Sequence, residues 1–158
     1  MELILWRHAE AADTAPDMAR ELTAKGRRQA REMADWLSGQ LAAQPSRPVR
    51  VIASPAARTR QTADALQRPV DIVQQIDPNA SADALLAATG WPEGHGVVIL
   101  VGHNPAISEL AARLAGADDA SLSLGRAAAW WYASNDDGAT PHLTLKAAMT
   151  PALLHQAS

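Results

Sequence analysis

The sequence contains no cysteine, and this absence removes several classes of protein chemistry. Without a thiol the chain forms no disulfide, uses no thiolate nucleophile and holds no zinc or iron–sulfur centre through sulfur ligands. No clustered set of acidic and histidine ligands is visible either. Paired acids such as Asp118-Asp119 and Asp136-Asp137 are typical of turns. We therefore predict no cofactor and no metal site.

Long apolar runs and an excess of positive charge are also missing. No uninterrupted apolar segment approaches the length of a membrane span, and the start Met1-Glu2-Leu3 lacks the basic and apolar regions of a signal peptide. The formal net charge is -3, which argues against a nucleic-acid binder that relies on bulk positive charge. We therefore expect a cytoplasmic protein with no membrane and no nucleic acid among its partners.

The 158 residues suffice for one domain with a sizeable core, and we predict that residues 1–158 form that single domain. Strand-like and helix-like segments alternate before residue 116, which is typical of a mainly parallel sheet. The run 97–101 lacks alternation and indicates a central strand covered on both faces. The expected fold class is α/β: a three-layer α/β/α sandwich with a mainly parallel open sheet, helices on both faces and a C-terminal antiparallel hairpin.

Hydrophobic periodicity, caps and turn residues predict the boundaries of the elements. Strands are predicted over 2–6, 49–53, 70–74, 97–101, 127–134 and 142–148, and helices after Thr23, from Pro55 to about Leu66, over 82–89 and after Pro105 to about Leu114. Thr23 is a candidate N-cap and Pro55 a candidate first helical residue. The stretch Asn135-Asp136-Asp137-Gly138 predicts the turn of the closing hairpin.

Polar residues follow three predicted strands at the point where each strand ends. They are Arg7-His8, then Ser54-Pro55 with Arg58, then Gly102-His103-Asn104. The carboxyl ends of parallel strands lie along one edge of a sheet, so two histidines and two arginines should meet there. Arg58 falls in the first turn of its helix, beside a positive helix N-terminus. Such a cluster suits a dianion, and phosphate is the first candidate.

These residues resemble the motifs of the histidine phosphatase superfamily, which has the phosphoglycerate-mutase-like fold. The matches follow the family's order over residues 2 to about 115: Arg7-His8, with Ala9 where the family has glycine; Leu22-Thr23, Gly26 and Gln29-Ala30; Ser54-Pro55, Arg58 and Gln61-Thr62-Ala63; and Gly102-His103-Asn104. The short chain is similar to the SixA-type phosphohistidine phosphatases, which are minimal versions of the fold.

The resemblance implies a role for each matched residue. His8 would be the nucleophile that becomes phosphorylated, while Arg7, Arg58 and His103 would bind the phosphoryl group and complete the catalytic set. Arg20 resembles an arginine that helps to line the phosphate pocket in the SixA-type branch. The chemistry agrees, because neutral imidazole attacks phosphorus and nearby guanidinium groups disfavour its charged form. With enough such donors around the phosphoryl group, no metal is needed.

The general acid has no matching motif in the sequence. Many relatives that cleave phosphate esters carry a glutamate after the second motif, and residues 74–92 show no such pattern. Glu10 and Asp77 are the possible general acids, although a solvated loop carboxylate is at least as good an interpretation of Glu10. An imidazole leaving group needs less help from an acid than an alkoxide does, so this gap favours phosphohistidine as the substrate.

The sequence thus predicts a metal-independent histidine phosphatase that hydrolyses phosphohistidine in proteins through a covalent phosphohistidine enzyme intermediate. Its partner would be a phosphohistidine-bearing protein. The alternative is a phosphatase that acts on small phosphomonoesters by the same mechanism, and a second alternative is a non-catalytic phosphate-binding module. Intact Arg7, His8, Arg58 and His103 argue against the second alternative.

Overall fold

The computed structural model describes residues 1–135 and 142–155. Its strands are β1 (Glu2–Arg7), β2 (Val49–Ala53), β3 (Val70–Ile72), β4 (Val97–Gly102), β5 (Ala129–Asn135) and β6 (His142–Met149). Its α-helices are α1 (Ala24–Leu41), α2 (Ala57–Asp64), α3 (Ala82–Thr89), α4 (Ala106–Leu114) and α5 (Pro151–His155). Single 3-10 turns span Asp17–Ala19 and Gln74–Ile76. None of the described helices is long and apolar enough to cross a membrane.

The strands form one mixed sheet in the order β3-β2-β4-β1-β5-β6. β3, β2, β4 and β1 pair in parallel, whereas β5 runs antiparallel to β1, and β6 runs antiparallel to β5. Every residue of β4 is buried, as expected for a central strand covered on both faces. The mainly parallel sheet and the C-terminal hairpin are therefore confirmed. Of the predicted hairpin turn, Asp136, Asp137 and Gly138 lie outside the described residues.

Helices cover both faces of the sheet and complete the predicted three-layer sandwich. Successive side chains of β1 point to opposite faces. Ile4 and Trp6 belong to the core cluster shared with α1 and α2, while Leu3 and Leu5 belong to the cluster shared with α3 and α4. All four side chains are fully buried, and each such burial contributes roughly 1.5–3 kcal/mol. The strand that leads to the site is thus also the centre of the core.

The helix starts confirm one predicted cap and correct one predicted helix start. The hydroxyl of Thr23 accepts the backbone N–H of Gly26 at 3.0 Å, as expected of an N-cap. The prediction for Pro55 is wrong, because α2 begins at Ala57 after an extended Ala56. The hydroxyl oxygen of Ser54 accepts the backbone N–H of Ala56 at 3.4 Å, so a side-chain turn occupies the place of the first helical residues.

The structure also differs from the sequence prediction in two strand boundaries with a clear physical cause and in one helix. β3 ends at Ile72 rather than at residue 74, because the chain turns there and buries Ile76 in the core. β5 begins at Ala129 rather than at residue 127, because Ala127 has a φ of 60°, in the left-handed region that no strand uses. Helix α5 was not predicted, and its Leu154 packs against the cluster under α1.

The segment between β1 and α1 is closed at its base. Ala11 and Leu22 form an antiparallel bridge, and the backbone N–H of Ala12 donates to the carbonyl oxygen of Glu21 at 2.8 Å. Residues 13–20 therefore form a loop on a fixed base, which we call the 13–20 loop.

Gly26 is required by the close approach of α1 to the chain that follows β1. A Cβ atom at Gly26 would lie 1.9 Å from the carbonyl oxygen of Glu10, far inside the contact distance. The same oxygen accepts the backbone N–H of Thr23 at 3.0 Å, which ties it to the start of the helix. Gly26, which belongs to the Leu22-Thr23 motif, is therefore required for a steric reason and takes no part in the chemistry of the site.

We expect Gly26→Ala to lower the free energy of unfolding by about 1–3 kcal/mol, because the methyl group overpacks a fixed backbone contact. Gly39→Ala in the same helix is the matched control, since a Cβ there meets nothing within 4 Å. The control should gain about 0.5–1 kcal/mol from better helix propensity. Urea denaturation measures both values, and equal effects of the two substitutions would contradict the steric argument.

Candidate active site

Parallel pairing brings the three strand ends to one edge of the sheet. The backbone N–H of His8 donates to Gly102 at 3.1 Å, and that of Ser54 donates to Val101 at 3.2 Å. The rings of His8 and His103 consequently lie 5.3 Å apart between centroids. The structure thus brings together the two histidines that follow separate strands in the sequence.

A cavity of about 420 Å³ lies at this edge. Its lining includes all five residues assigned to catalysis or phosphate binding from the sequence: Arg7, His8, Arg20, Arg58 and His103. It also includes Asp17, Asn104 and Arg126, to which the sequence analysis gave no role. Among the described lining residues, four guanidinium groups face a single carboxylate. This balance suits a ligand with two negative charges.

His8 is held as a neutral ring with a defined proton position. Its Nδ1 lies 2.7 Å from the carbonyl oxygen of Ala9. A carbonyl oxygen only accepts, so Nδ1 carries the proton and Nε2 keeps its lone pair. Burial lowers the pKa of His8 to about 4; the charges of Arg58, Arg7 and Arg20 act in the same direction, and the bond to Ala9 opposes them. At neutral pH this imidazole therefore offers a nucleophilic nitrogen.

His103 is neutral for the same reason. Burial lowers its pKa to about 3, and the charges of Arg58 and His8 add to the effect. Its Nε2 lies 2.7 Å from the hydroxyl oxygen of Ser54, while its Nδ1 is buried without a hydrogen-bond partner among the described residues. The hydroxyl of Ser54 therefore fixes the orientation of this ring.

Arg7 is fixed by the chain that follows α4. Its Nη1 donates to the carbonyl oxygen of Leu124 at 2.9 Å, and Nδ2 of Asn104 donates to the same oxygen at 3.1 Å. Oδ1 of Asn104 accepts the hydroxyl of Ser108, whose oxygen accepts the backbone N–H of Leu124 at 2.8 Å. Burial lowers the pKa of Arg7, with Arg126 acting in the same direction. This closed network builds one wall of the cavity.

Arg58 and Arg20 are both held by Asp17 of the 13–20 loop, and Arg20 also by the base of that loop. Arg58 is 4% exposed and donates to the carbonyl oxygen of Asp17 at 2.9 Å and to its carboxylate at 3.2 Å. Arg20 donates to the carbonyl oxygen of Ala12 at 2.8 Å and to the carboxylate of Asp17 at 3.3 Å. Carbonyl oxygens satisfy guanidinium protons without cancelling their charge. The cavity therefore keeps a positive potential.

Asp17 is a lining residue that the sequence analysis missed. Its side chain is 56% exposed. Burial opposes its ionisation, but hydrogen bonds and charges from Arg58 and Arg20 outweigh this and lower its pKa. The polar loop around it has no periodicity that would place it at the site. Only its spacing, three residues before Arg20, could have indicated that the two side chains meet in one turn.

Neither sequence-derived candidate for the general acid lines the cavity. The carboxylate of Glu10 accepts the hydroxyl of Thr23 at 2.9 Å and a guanidinium N–H of Arg126 at 3.2 Å. The carboxylate of Asp77 accepts the backbone N–H of Asn79 at 2.8 Å, within its own turn.

A metal site would need a group of three or more His, Asp or Glu side chains, and no such group is found within residues 1–135 and 142–155.

Uncharged motif residues position the chain that carries His8. The backbone N–H of Ala9 donates to the hydroxyl of Thr62 at 3.0 Å, and that hydroxyl donates to the carbonyl oxygen of Arg58 at 2.8 Å. The backbone N–H of Glu10 donates to the side-chain oxygen of Gln29 at 3.0 Å. These bonds couple α1 and α2 to the residues beside the nucleophilic ring, so both helices share in fixing its position.

Comparison with known proteins gives one family. A sequence model of the Histidine phosphatase superfamily (branch 1) matches residues 3–81. The curated protein Phosphohistidine phosphatase SixA of Escherichia coli (strain K12) is 32% identical over 123 residues, which cover 72% of this chain and 74% of that protein.

Solved structures match almost the whole chain. A protein assigned as phosphohistidine phosphatase SixA from Nakamurella multipartitia is 30% identical with a TM-score of 0.72, and 95% of each chain is covered. The protein histidine phosphatase SixA in complex with tungstate is 28% identical with a TM-score of 0.72, covering 98% of this chain and 99% of that chain. The α/β sheet with its C-terminal hairpin is the fold of these proteins.

Inorganic phosphate or vanadate should bind this cavity and stabilise the protein against heat. At an anion concentration one hundred times the Kd, we expect a rise in Tm of about 5–10 °C. Arg58→Gln should abolish the rise, because it removes a buried guanidinium from the lining. Arg50→Gln is the matched control, since Arg50 is exposed and pairs with Asp71 outside the cavity. Loss of the anion effect in both variants would contradict the placement of the site.

Proposed function

The chain belongs to the histidine phosphatase superfamily and is a phosphatase, and we propose that it hydrolyses phosphohistidine in other proteins through a phosphorylated His8. The observation that carries the proposal is the bond of Nδ1 of His8 to the Ala9 carbonyl oxygen at 2.7 Å, which leaves Nε2 as the nucleophile. The curated relative and the Nakamurella structure, both phosphohistidine phosphatases by name, support the choice of substrate.

Arg7, Arg20 and Arg58 bind the phosphoryl oxygens in this proposal. Their guanidinium groups are already held by the carbonyl oxygens of Leu124, Ala12 and Asp17, respectively. Donors that are fixed before the reaction need little reorganisation, which makes them effective at stabilising charge in the transition state. His103 contributes a further polar contact from the neighbouring strand end. No step requires a metal ion.

The first chemical step transfers the phosphoryl group to His8. The lone pair of Nε2 forms a bond to phosphorus while the bond from phosphorus to the substrate ring nitrogen breaks, and its electron pair stays on that nitrogen. The positive charge that develops on His8 is shared between its ring nitrogens, and Nδ1–H still donates to Ala9. A covalent intermediate of this kind divides one difficult displacement into two easier ones.

The second step hydrolyses the phosphorylated enzyme. A water molecule attacks phosphorus, a new P–O bond replaces the bond to Nε2, and the electron pair of that bond returns to Nε2. The protons of the water leave with inorganic phosphate and bulk solvent. Because burial and neighbouring charges hold the pKa of His8 at about 4, the released ring is neutral and ready for the next substrate.

Small phosphomonoesters are the second candidate substrates. The observation in their favour is the cavity of about 420 Å³, which falls in the size range of small-molecule sites. An alkoxide leaving group needs a proton, however, and neither Glu10 nor Asp77 lines the cavity. A non-catalytic phosphate-binding module is disfavoured, because such a module has no use for a neutral His8 with a free lone pair.

Replacing His8 with alanine should lower turnover at least about a thousandfold while the fold is retained, because loss of a nucleophile removes the covalent route. His95→Ala is the control, since His95 is exposed and lies outside the cavity lining. Mass spectrometry after a brief reaction with phosphohistidine peptide should find one phosphoryl group on His8 of the wild type. The turnover assays are run with and without EDTA, and the measured turnover should be the same in both. Near-normal turnover by a folded His8→Ala variant would exclude the mechanism.

The substrate is tested by comparing kcat/KM values across a panel. We expect a phosphohistidine peptide to exceed common metabolite phosphomonoesters by at least about tenfold, equivalent to about 1.4 kcal/mol of barrier. The physical reason is the imidazole leaving group, which departs without an acid supplied by the enzyme. A metabolite ester that is hydrolysed faster than the peptide would favour the second candidate.

A further inference from the structure

We infer that Asp17 is a specificity-determining residue that accepts a hydrogen bond from the protonated imidazole ring of the substrate phosphohistidine. The inference rests on the function proposed above and adds the form of the substrate that the site selects. Its basis is the position, charge and free acceptor capacity of this one carboxylate.

The geometry of phosphoryl transfer places the leaving group near Asp17. In such a transfer the attacking and leaving atoms lie roughly in line through phosphorus. His8 is 9% exposed and forms the floor of the cavity, so the leaving ring must lie on the side of the mouth. The side chain of Asp17 is 56% exposed, against 5% for Arg58. The carboxylate therefore borders the side from which the substrate enters.

The carboxylate of Asp17 has room for another donor. One oxygen accepts from Arg20 at 3.3 Å and the other from Arg58 at 3.2 Å. An ionised carboxylate has about four acceptor sites, so each oxygen retains one. Interactions with the two arginines lower the pKa of Asp17, which keeps the group ionised at neutral pH. In the described lining no other carboxylate is available to a substrate.

The chemistry of phosphohistidine supplies the matching donor. When its second ring nitrogen is protonated, the phosphorylated imidazole is a cation with one N–H. Cleavage of the P–N bond then returns an electron pair to the first nitrogen and releases a neutral imidazole, so no proton is transferred in this step. A nearby carboxylate stabilises the cationic form of the substrate. Asp17 thus favours the reactive form without acting as an acid.

The same charge disfavours phosphate esters. A phosphomonoester brings two negative charges and no cationic leaving group, so the carboxylate of Asp17 repels it at short distance. The carboxylate of Asp17 therefore raises kcat/KM for phosphohistidine and lowers kcat/KM for phosphate esters. This difference in sign separates the inferred role from a merely structural one.

The test uses Asp17→Asn, which removes the charge and keeps an oxygen that can accept from Arg58. We expect kcat/KM for a phosphohistidine peptide to fall about tenfold and kcat/KM for p-nitrophenyl phosphate to rise. Asp17→Glu should restore most of the preference for the peptide. Asp71→Asn is the matched control, because Asp71 is 62% exposed, pairs with Arg50 at 3.1 Å and lies outside the cavity lining.

The pH dependence gives a second readout. The charged and titratable groups that face Asp17 from the surrounding elements are Arg7, Arg20, Arg58, Arg126, His8 and His103. The pKa values of about 4 for His8 and about 3 for His103 keep both rings neutral from pH 5.5 to 8.5. The fall of kcat for the peptide at high pH then reports the bound substrate ring. In Asp17→Asn the pH at which kcat falls should be lower by about one pH unit, because the substrate ring has lost the carboxylate that stabilises its protonated form.

The outcomes separate the inference from the proposed function. If Asp17→Asn lowers kcat/KM for both substrates by the same factor and leaves the pH at which kcat falls unchanged, Asp17 only positions Arg58, and the inference is overturned while the function stands. If the wild type does not hydrolyse the phosphohistidine peptide but does hydrolyse the aryl ester, the proposed function itself fails. Opposite changes in kcat/KM, together with a fall of kcat at lower pH, support both.

Discussion

The hydrogen bonds that β4 makes with β1 on one side and β2 on the other are the constraint on which the site depends. The parallel register sets Arg7 opposite Gly102, so the residues that follow these strands emerge at one edge of the sheet. A strand covered on both faces cannot slip by one residue without exchanging its two sets of core side chains. Core packing thereby sets the 5.3 Å between the rings of His8 and His103. The reactive geometry is a consequence of the fold's most buried part.

Burial gives the histidines and the arginines of the site opposite properties. The same desolvation that lowers the pKa values of His8 and His103 and keeps them neutral also strengthens the field of the buried guanidinium group of Arg58. Arg7, Arg20 and Arg58 each donate to a carbonyl oxygen, such as that of Leu124, and these bonds satisfy guanidinium protons and leave the charge in place. Their mutual repulsion costs stability, and a bound anion relieves it. The edge of the sheet is therefore arranged for a doubly charged ligand at the expense of the ligand-free protein.

The fold class could be predicted from the sequence because it follows from periodic patterns, and the cluster around His8 because its polar residues directly follow the predicted strands. An apolar run predicts where a strand ends, and polar residues that directly follow neighbouring parallel strands lie at the same edge of the sheet. The helix start at Pro55 could not be predicted, because it depends on a side-chain turn at Ser54. The place of Asp17 in the cavity lining could not be predicted either, because contacts with Arg58 fix it and its own loop has no repeating pattern. Tertiary contacts of irregular segments leave no local signature.

The closed base of the 13–20 loop has a consequence for redesign and for divergence among relatives. Ala11 and Leu22 hold the two ends of the loop together, so its length and composition can change without disturbing His8 or α1. The loop nevertheless carries two of the side chains that border the cavity, Asp17 and Arg20. Transplanting this one peptide from another member of the superfamily would exchange Asp17 and Arg20, and with Arg20 one of the guanidinium groups that bind the phosphoryl oxygens, while Arg7, His8 and His103 lie outside the loop and would stay in place.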